Sequence, residues 1–585
     1  MGTDTGRFDG VLTRRRALAG GAAVAGGIAG GCLNPVDRLF GGSTTEPVAV
    51  EILTLPADED EDATRIARQL LDRLRAVGIE ATITLLPPLQ LQERVLLQQD
   101  FDIYVGTMPV PRDPGFLRGL LHSRYIERLG WENPFGFTNA TLSEALDEQR
   151  YQTGPQRIDT FREVQRTVAS EQPYTPLVVE QAIASVGTDR FDQWMTVPAR
   201  DPLWLAGIEY VGDGGDRSLT VATTDREITQ NTNPIRPRFG ELDVTTTYLY
   251  DRLARYYDGA LRPWLAESWS REGSELTVRL RPELHWHDGA ALTASDVAFT
   301  YRFLADTSLG ESDVPLPAPR FQNAVSLVEA VAAPDDRTVR LSVDAAGIAA
   351  LAPLTVPLLP EHVWSSRTAV TDPKRGLTEA MTRANTDPVG SGPLAFESRV
   401  EWERLDLTRF DDHPLNREGS DLFDVQFSPL SFTDLRFLIA PSDVTAVEHI
   451  EQGTADVTAP NLRSSAVSRI VRSDEQSLLV TPSRTMYHVG YNCRRQPLRN
   501  PNFRRAVARL LDKGAVASGA FDGFADPATS PLIDTTWVPS SLRWDGSDPE
   551  VPFSGEDGEL NTETAKRQFV DAGYVYSDDG QLIYR

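Results

Sequence analysis

Apolar positions along this chain repeat with two periods, and the places where one gives way to the other mark its elements. Between 63 and 77, Ala63, Ile66, Ala67, Leu70, Leu71, Leu74 and Val77 recur three and four residues apart, the stripe of an amphipathic helix. Gly78 stands where such a helix stops in left-handed backbone, and Ile79, Ala81, Ile83 and Leu85 then alternate as a strand. A second unit starts at 276. Leu276, Val278 and Leu280 alternate with Thr277, Arg279 and Arg281, Asp288-Gly289 supplies a turn, and Thr293 with Asp296 forms a variant capping box ahead of Val297, Phe299 and Tyr301. Near the end, Asp579-Gly580 turns the chain into a short strand over Leu582–Tyr584, and near the front Val48–Leu53 is another. Val211–Arg217 (VGDGGDR) carries no hydrophobic period and reads as a linker.

Length turns these elements into more than one body. The 585 residues exceed the ~250–300 at which a single core stops growing, and 40% hydrophobic content is enough for packed cores. No uninterrupted apolar run reaches the ~18 residues of an ordinary membrane-spanning helix. Acidic residues number 84 against 58 basic ones, a net charge of -26, which argues against nucleic acid and anionic membrane surface as partners. Only Lys374, Lys513 and Lys566 are lysines. An acidic, lysine-poor surface suits concentrated salt and predicts a halophilic archaeal source; a genome rich in arginine codons produces the same shortage.

The front reads as a targeting segment. Thr13-Arg14-Arg15-Arg16-Ala17-Leu18 resembles a twin-arginine signal, followed by the weakly apolar run Ala17–Gly31, and Cys32 stands as a lipobox cysteine, the predicted site of a lipid anchor. Leu33–Glu46 then serves as a flexible tether. One further cysteine, Cys493, excludes an intramolecular disulfide framework and reads as a small packing residue.

Catalytic constellations are sparse. His285 and His287 lie two apart on an apparent strand beside Asp288, the spacing that sets two metal ligands on one side. There is no GxxxxGK[ST] run, no nucleophile elbow at Gly390-Ser391-Gly392 and no HExxH pair. No enzyme, cofactor or metal is expected.

Leu265–Trp269 (LAESW) followed by Trp286–Gly289 (WHDG), Leu292–Ala294 (LTA), Asp296-Val297 and Phe299-Thr300 resembles the signature of the family 5 solute-binding proteins of ABC importers, the dipeptide, oligopeptide and nickel group. Pro357–Trp364, Asn385–Pro393 (NTDPVGSGP), Gln452–Val457, Phe503–Asp512 and Ala565–Tyr574 (AKRQFVDAGY) are similar to further family segments in family order. In that resemblance the HDG stretch is a structural turn. The section that follows AKRQFVDAGY in the family is similar instead to the front of this chain: the 63–85 unit, Phe101-Asp102-Ile103, Asp113–Leu117, Gly136–Asn139 and Pro173–Leu177. The chain therefore resembles a circularly permuted member, and Val48–Leu53 and Leu582–Tyr584 are expected to lie side by side as a severed hairpin.

The resemblance implies an α/β, two-lobed, type II periplasmic-binding-protein-like fold, with a hinge and a cleft between the lobes. The expected division is 1–31 signal, 32–46 tether, 47–173 second lobe, 174–210 return to the first lobe, 211–217 the linker joining ancestral termini, 218–483 first lobe, and 484–585 the rest of the second. The implied function is a lipid-anchored extracellular protein, a monomer, that captures a small or peptide-like solute and delivers it to ABC importer permease subunits. A surface receptor of the same fold, uncoupled from import, is the alternative. Peptide-binding members have an aspartate that pairs with the peptide amine; aligned on Asp113-Pro114, that position is Val110 and the preceding tryptophan position is Thr107. Arg94 and Arg112 are candidate receivers of an anionic group instead. Tyr104, Met108, Asn231, Asn233, Tyr248, Ser391 and Asn492 complete the cleft candidates, with Tyr250 a core residue by its YDRL setting and Asp113 a capping acid.

Overall fold

The computed structural model describes residues 46–585, except 112, 131, 195–201, 238–243, 258, 418–421, 423–428 and 534. The twin-arginine segment, Cys32, most of the tether and Arg112 lie outside the described residues. Among the described residues no helix is long and apolar enough to cross a membrane.

An 11-stranded sheet runs through the whole of this region. At one end Ser218–Thr223 pairs in parallel with Asp434–Ile439 and with Val457–Thr458. At the other, Ala49–Thr54 lies between Glu80–Leu85 and Ile103–Pro109, parallel to both. Two long antiparallel strands, Tyr174–Gly187 and Gln476–Tyr491, join the ends. Their ladder shifts register between Pro482 and Met486. On one side of that break Leu177 and Val178 pack with Ile52 and Phe503, and on the other Ile183 packs with Val447 and Val186 with Leu219. The first long strand therefore contributes Leu177 and Val178 to one body and Ile183 and Val186 to the other.

Local rules account for the elements. Leu276, Val278 and Leu280 are buried in the strand Glu275–Leu280. The Thr293 amide donates to Asp296 Oδ2 at 2.9 Å, ahead of the helix Ala294–Ala305. Asp60 caps the helix Glu61–Ala76 by accepting from the Ala63 amide at 2.8 Å. That helix buries Ile66, Leu70 and Leu74 completely or nearly so, each contributing about 1.5–3 kcal/mol. The strand after it is an edge strand, which is why Leu85 at its end remains exposed.

The two ends of the described chain share one core. Val48, Val50 and Ile52 pack in the same cluster as Phe503, Val507, Phe569 and Leu582. Pro47 and Ile583 form an antiparallel bridge, the Val48 amide donates to Leu582 O at 2.8 Å, and the Leu582 amide donates to Gly78 O at 2.7 Å. The contact is narrower than a severed hairpin along Val48–Leu53: beyond Val48 the strand pairs with its two parallel neighbours instead. Gly78 is at φ +82, and a Cβ there would meet Gly580 O at 2.2 Å, so only glycine fits where the front helix abuts the final hairpin.

Candidate functional site

A cavity of about 460 Å³ opens where the two bodies meet, within the ~300–1,000 Å³ usual for small-molecule sites. Its second-body wall starts at the carboxyl end of Ile103–Pro109, where Met108, Pro109 and Pro111 line it. The strand order there, Glu80–Leu85, Ala49–Thr54, Ile103–Pro109, places successive connections on opposite sides of the first strand. That arrangement leaves a crevice beyond the strand ends.

The loop that follows is pinned by Asp113. Its two oxygens accept from Arg157 Nη1 and Nη2 at 2.8 Å each, and one also accepts from the Gly115 amide at 2.7 Å. Arg157 is 1% exposed and gives its Nε proton to Gln149 Oε1 at 3.0 Å. Arg118, on the helix Phe116–Leu121, is held by Asp147 at 2.7 Å.

On the first-body wall Arg255 donates to Asp251 Oδ1 at 2.7 Å. His413 Nδ1 accepts from the Leu415 amide, so its proton sits on Nε2, 2.6 Å from Asp251 Oδ2. Burial pushes the Asp251 carboxyl up, but His413 and Arg255 outweigh it and hold it below the usual carboxylate range. Polar contacts join the bodies beside the cavity. Asn323 Nδ2 donates to Gly115 O at 3.3 Å, Tyr151 donates to Asp344 at 2.6 Å, and Arg150 pairs with the same carboxylate.

Of the residues that the sequence singled out, Met108 stands in the cavity wall. Val110 is buried, and its amide and carbonyl are bonded to Arg484 O and Arg484 Nη1. Thr107 is half-buried opposite Tyr487 in the sheet. Arg94 pairs with Glu51 at 3.0 Å and Asp100 at 3.6 Å, away from the cavity. The Tyr104 hydroxyl meets His488 Nε2 at 2.6 Å in the interior. Asn231 Oδ1 accepts from the Asn233 and Asn385 amides, and Asn233 Nδ2 donates to Ala380 O and Arg383 O, so both tie their loop to the 380–385 segment. Tyr248 is buried in the first-body core. Ser391 Oγ accepts from the Asp251 amide at 3.3 Å, and Asn492 Nδ2 donates to Gln99 O and Phe101 O. Tyr250 is buried too, its hydroxyl accepting from Asn385 at 2.7 Å.

His285 and His287 do not form the paired site that their spacing suggested. His287 is spent on the loop at 390–392, accepting from the Gly390 amide at 3.2 Å while its Nε2 faces Gly392 O at 3.0 Å, and burial pulls its pKa down to about 4. His285 forms only an isolated bridge to Ala291 and lies 3.7 Å from Asp412. Among the described residues no group of three or more His, Cys, Asp or Glu could hold a metal ion. Cys493 packs half-buried against the second-body core, and burial pushes its thiol up to about 11.

The cavity's own residues were the ones that motif reading missed. Arg118, Arg150, Arg157, Arg484 and Glu132 line it, and each comes from a stretch whose local pattern marks it only as helix or loop.

Residues 260–584 match the model of the Bacterial extracellular solute-binding proteins, family 5 Middle. The match covers more than half of the chain, and the chain belongs to this family. The glutathione-binding protein GsiB of Pectobacterium atrosepticum is 24% identical over 270 residues, 46% of this chain and 47% of that protein. Di/tripeptide-binding protein 2 of Pseudomonas aeruginosa is 23% identical over 351 residues, 58% of this chain and 62% of that protein. The chain thus spans about half the length of the curated relatives it matches. Among solved structures, the oligopeptide-binding protein AppA of Bacillus subtilis, in complex with a nonapeptide, aligns with a TM-score of 0.44 at 18% identity, covering 63% of this chain and 67% of that one.

Proposed function

We propose that this protein captures a small solute in the cavity between its two bodies and presents it to the permease subunits of an ABC importer. The observation that carries the reading is the cavity itself. Walls from both bodies enclose it beside the two long strands that connect them, so a solute touching both walls biases an open–closed equilibrium of hinge type. Family membership supports the transport role. An ordinary peptide amine is disfavoured as the feature gripped at Val110, because an ammonium there meets no carboxylate from that side chain.

The wider reading includes export through the twin-arginine segment, anchoring through Cys32, and action as a monomer at the outer face of the membrane. It also includes circular permutation, with Val211–Arg217 as the join between ancestral termini. Support comes from the order of the family-like segments, from the exposed linker, and from the hydrogen bonds between the two ends of the described chain.

The test is a thermal-shift screen of the protein with peptides, sugars and metal chelates. A solute that binds only the folded state stabilises it by about 2.7 kcal/mol at a hundredfold excess over Kd, and Tm rises by mass action. A screen in which no solute moves Tm contradicts solute capture.

A further inference from the structure

Among the described residues, Glu132 is the carboxyl in the cavity wall for which the fold supplies no partner. It is 2% exposed, it lines the cavity, and neither Oε1 nor Oε2 has a hydrogen-bond partner. Its loop runs between Ser123–Tyr125 and the helix Ala140–Glu148 and abuts the first body, where a Cβ on Gly130 would meet Pro319 Cβ at 2.5 Å. Asn133 fixes that loop from inside: its Nδ2 donates to His122 O at 3.1 Å and Phe137 O at 2.8 Å, and its Oδ1 accepts from the Phe137 amide at 2.8 Å. The carboxyl is thus held in place at the seam between the bodies.

The neighbouring acids are settled differently. Asp113, the other described acid of the lining, is taken by Arg157, and around it Asp147 holds Arg118, Asp251 holds Arg255 and Asp344 holds Arg150. Arg484 donates to Val110 O, and Arg252 and Arg320 also have interactions of their own. The charged groups around Glu132 are Arg128, Arg118 and Arg124, and none of them donates to it. Arg118 is shared between Asp147 and the Tyr125 hydroxyl, and Arg124 lies over the Tyr125 ring, 5.7 Å from its centroid. An ionised carboxylate without donors is costly in such a place, so the unpaired group keeps its proton. Burial accordingly pushes its pKa up to about 8, against the weaker pull of the three arginines.

Building on the solute-capture reading, we propose that the cavity takes a small organic cation with N–H donors, an ammonium or guanidinium group, and that Glu132 receives it as a carboxylate. The contact repeats the carboxylate–cation pairs already built around the wall, with the solute supplying the missing member. Glu132 does this from a different loop than Val110. When the cation enters, the O–H bond of the acid breaks, the proton leaves for the solvent, and the N–H groups donate to the two freed oxygens. Glu132 is then a specificity residue: a neutral solute brings no charge to displace the proton, and a cation without N–H groups leaves the oxygens without donors.

The experiment is isothermal titration of the whole protein at pH 7 with putrescine and agmatine, with choline as a cation lacking N–H donors, and with glucose, trehalose and succinate. The better of the first two probes is then repeated on Glu132→Gln, which keeps the side chain's volume, and in two buffers of different ionisation enthalpy. The proposal expects putrescine or agmatine to bind at least tenfold more tightly than choline, and Glu132→Gln to weaken that binding at least tenfold. It also expects release of about 0.5–1 proton per solute bound in the wild type and none in the variant. Silence from putrescine and agmatine, equal binding of choline, or affinity and proton release unchanged in Glu132→Gln overturns the proposal and leaves solute capture standing. Silence from every probe here and in the thermal-shift screen overturns both.

Discussion

The two bodies are assembled differently. The first is drawn from one stretch of chain, with Leu219, Leu276, Val339, Leu407 and Phe437 in a single core, whereas the second draws Ile52 and Leu70 from the front and Phe503, Phe569 and Leu582 from the back. The cavity borrows a wall from each. A defect at the junction of the chain ends should therefore loosen the second wall and spare the first, so unfolding of the two bodies can be separated by where a mutation falls.

The largest expected effect is at Arg157→Met. It leaves Asp113 partly buried without its bidentate partner, and breaking a buried pair costs about 3–5 kcal/mol. Urea unfolding followed by hydrogen exchange should show the loss in the second body, with the strands around Leu276 unaffected. Gly78→Val comes next, because it forces a β-branched residue into φ +82 and drives a Cβ towards Gly580 O. A loss of about 2–4 kcal/mol is expected, again confined to the second body. An equal loss in both bodies would contradict the separation.

Titration sharpens the comparison from another side. Burial depresses His488 to about 3 in the second body and His287 to about 4 in the first. A depressed histidine is neutral when folded, so its contribution is present above the ordinary histidine value and is lost as pH falls from about 6.5 towards 3–4. His488→Gln should flatten the acid limb of the second body and His287→Gln that of the first, each tenfold difference in proton affinity between folded and unfolded chain being worth about 1.4 kcal/mol. Glu132 works in the opposite sense. Its raised value means stability is fully present below about pH 4.5 and is lost as pH rises towards 8. Glu132→Gln should thus raise stability at pH 7 by about 2–3 kcal/mol. The smallest effect belongs to Arg463→Gln, which removes a half-exposed pair with Glu61 at 3.1 Å and should change stability by about 0–1 kcal/mol, less in high salt.

Sequence pattern carried the elements further than it carried the site. The stripe from Ala63 to Val77, the alternation at Leu276–Leu280 and the Thr293–Asp296 cap are short-range rules, and the structure obeys them. The meeting of the ends was also readable, because ordered motifs constrain neighbours far apart in the chain; its extent was not, since parallel pairing claimed the strand beyond Val48. Cleft candidates chosen as polar residues in loops went another way. Asn231, Asn233, Ser391 and Asn492 satisfy backbone groups around them, the commonest use of a buried amide or hydroxyl. Tyr104 and His488 came to face each other only through pairing of strands more than 380 residues apart. The cavity arginines and Glu132 become a set only when helices and loops from both bodies converge, and no local spacing encodes that.

The claim on which the rest depends is that front and back of the described chain build one wall of the cavity together. Native-state hydrogen exchange on the whole protein tests it directly, read at the Val48 and Leu582 amides and along the helix Thr562–Asp571. All should open with one free energy, and Gly78→Val should lower them together while the amides of Glu275–Leu280 keep theirs. Rapid exchange at Val48 and Leu582 beside a fully protected Thr562–Asp571 helix would contradict it.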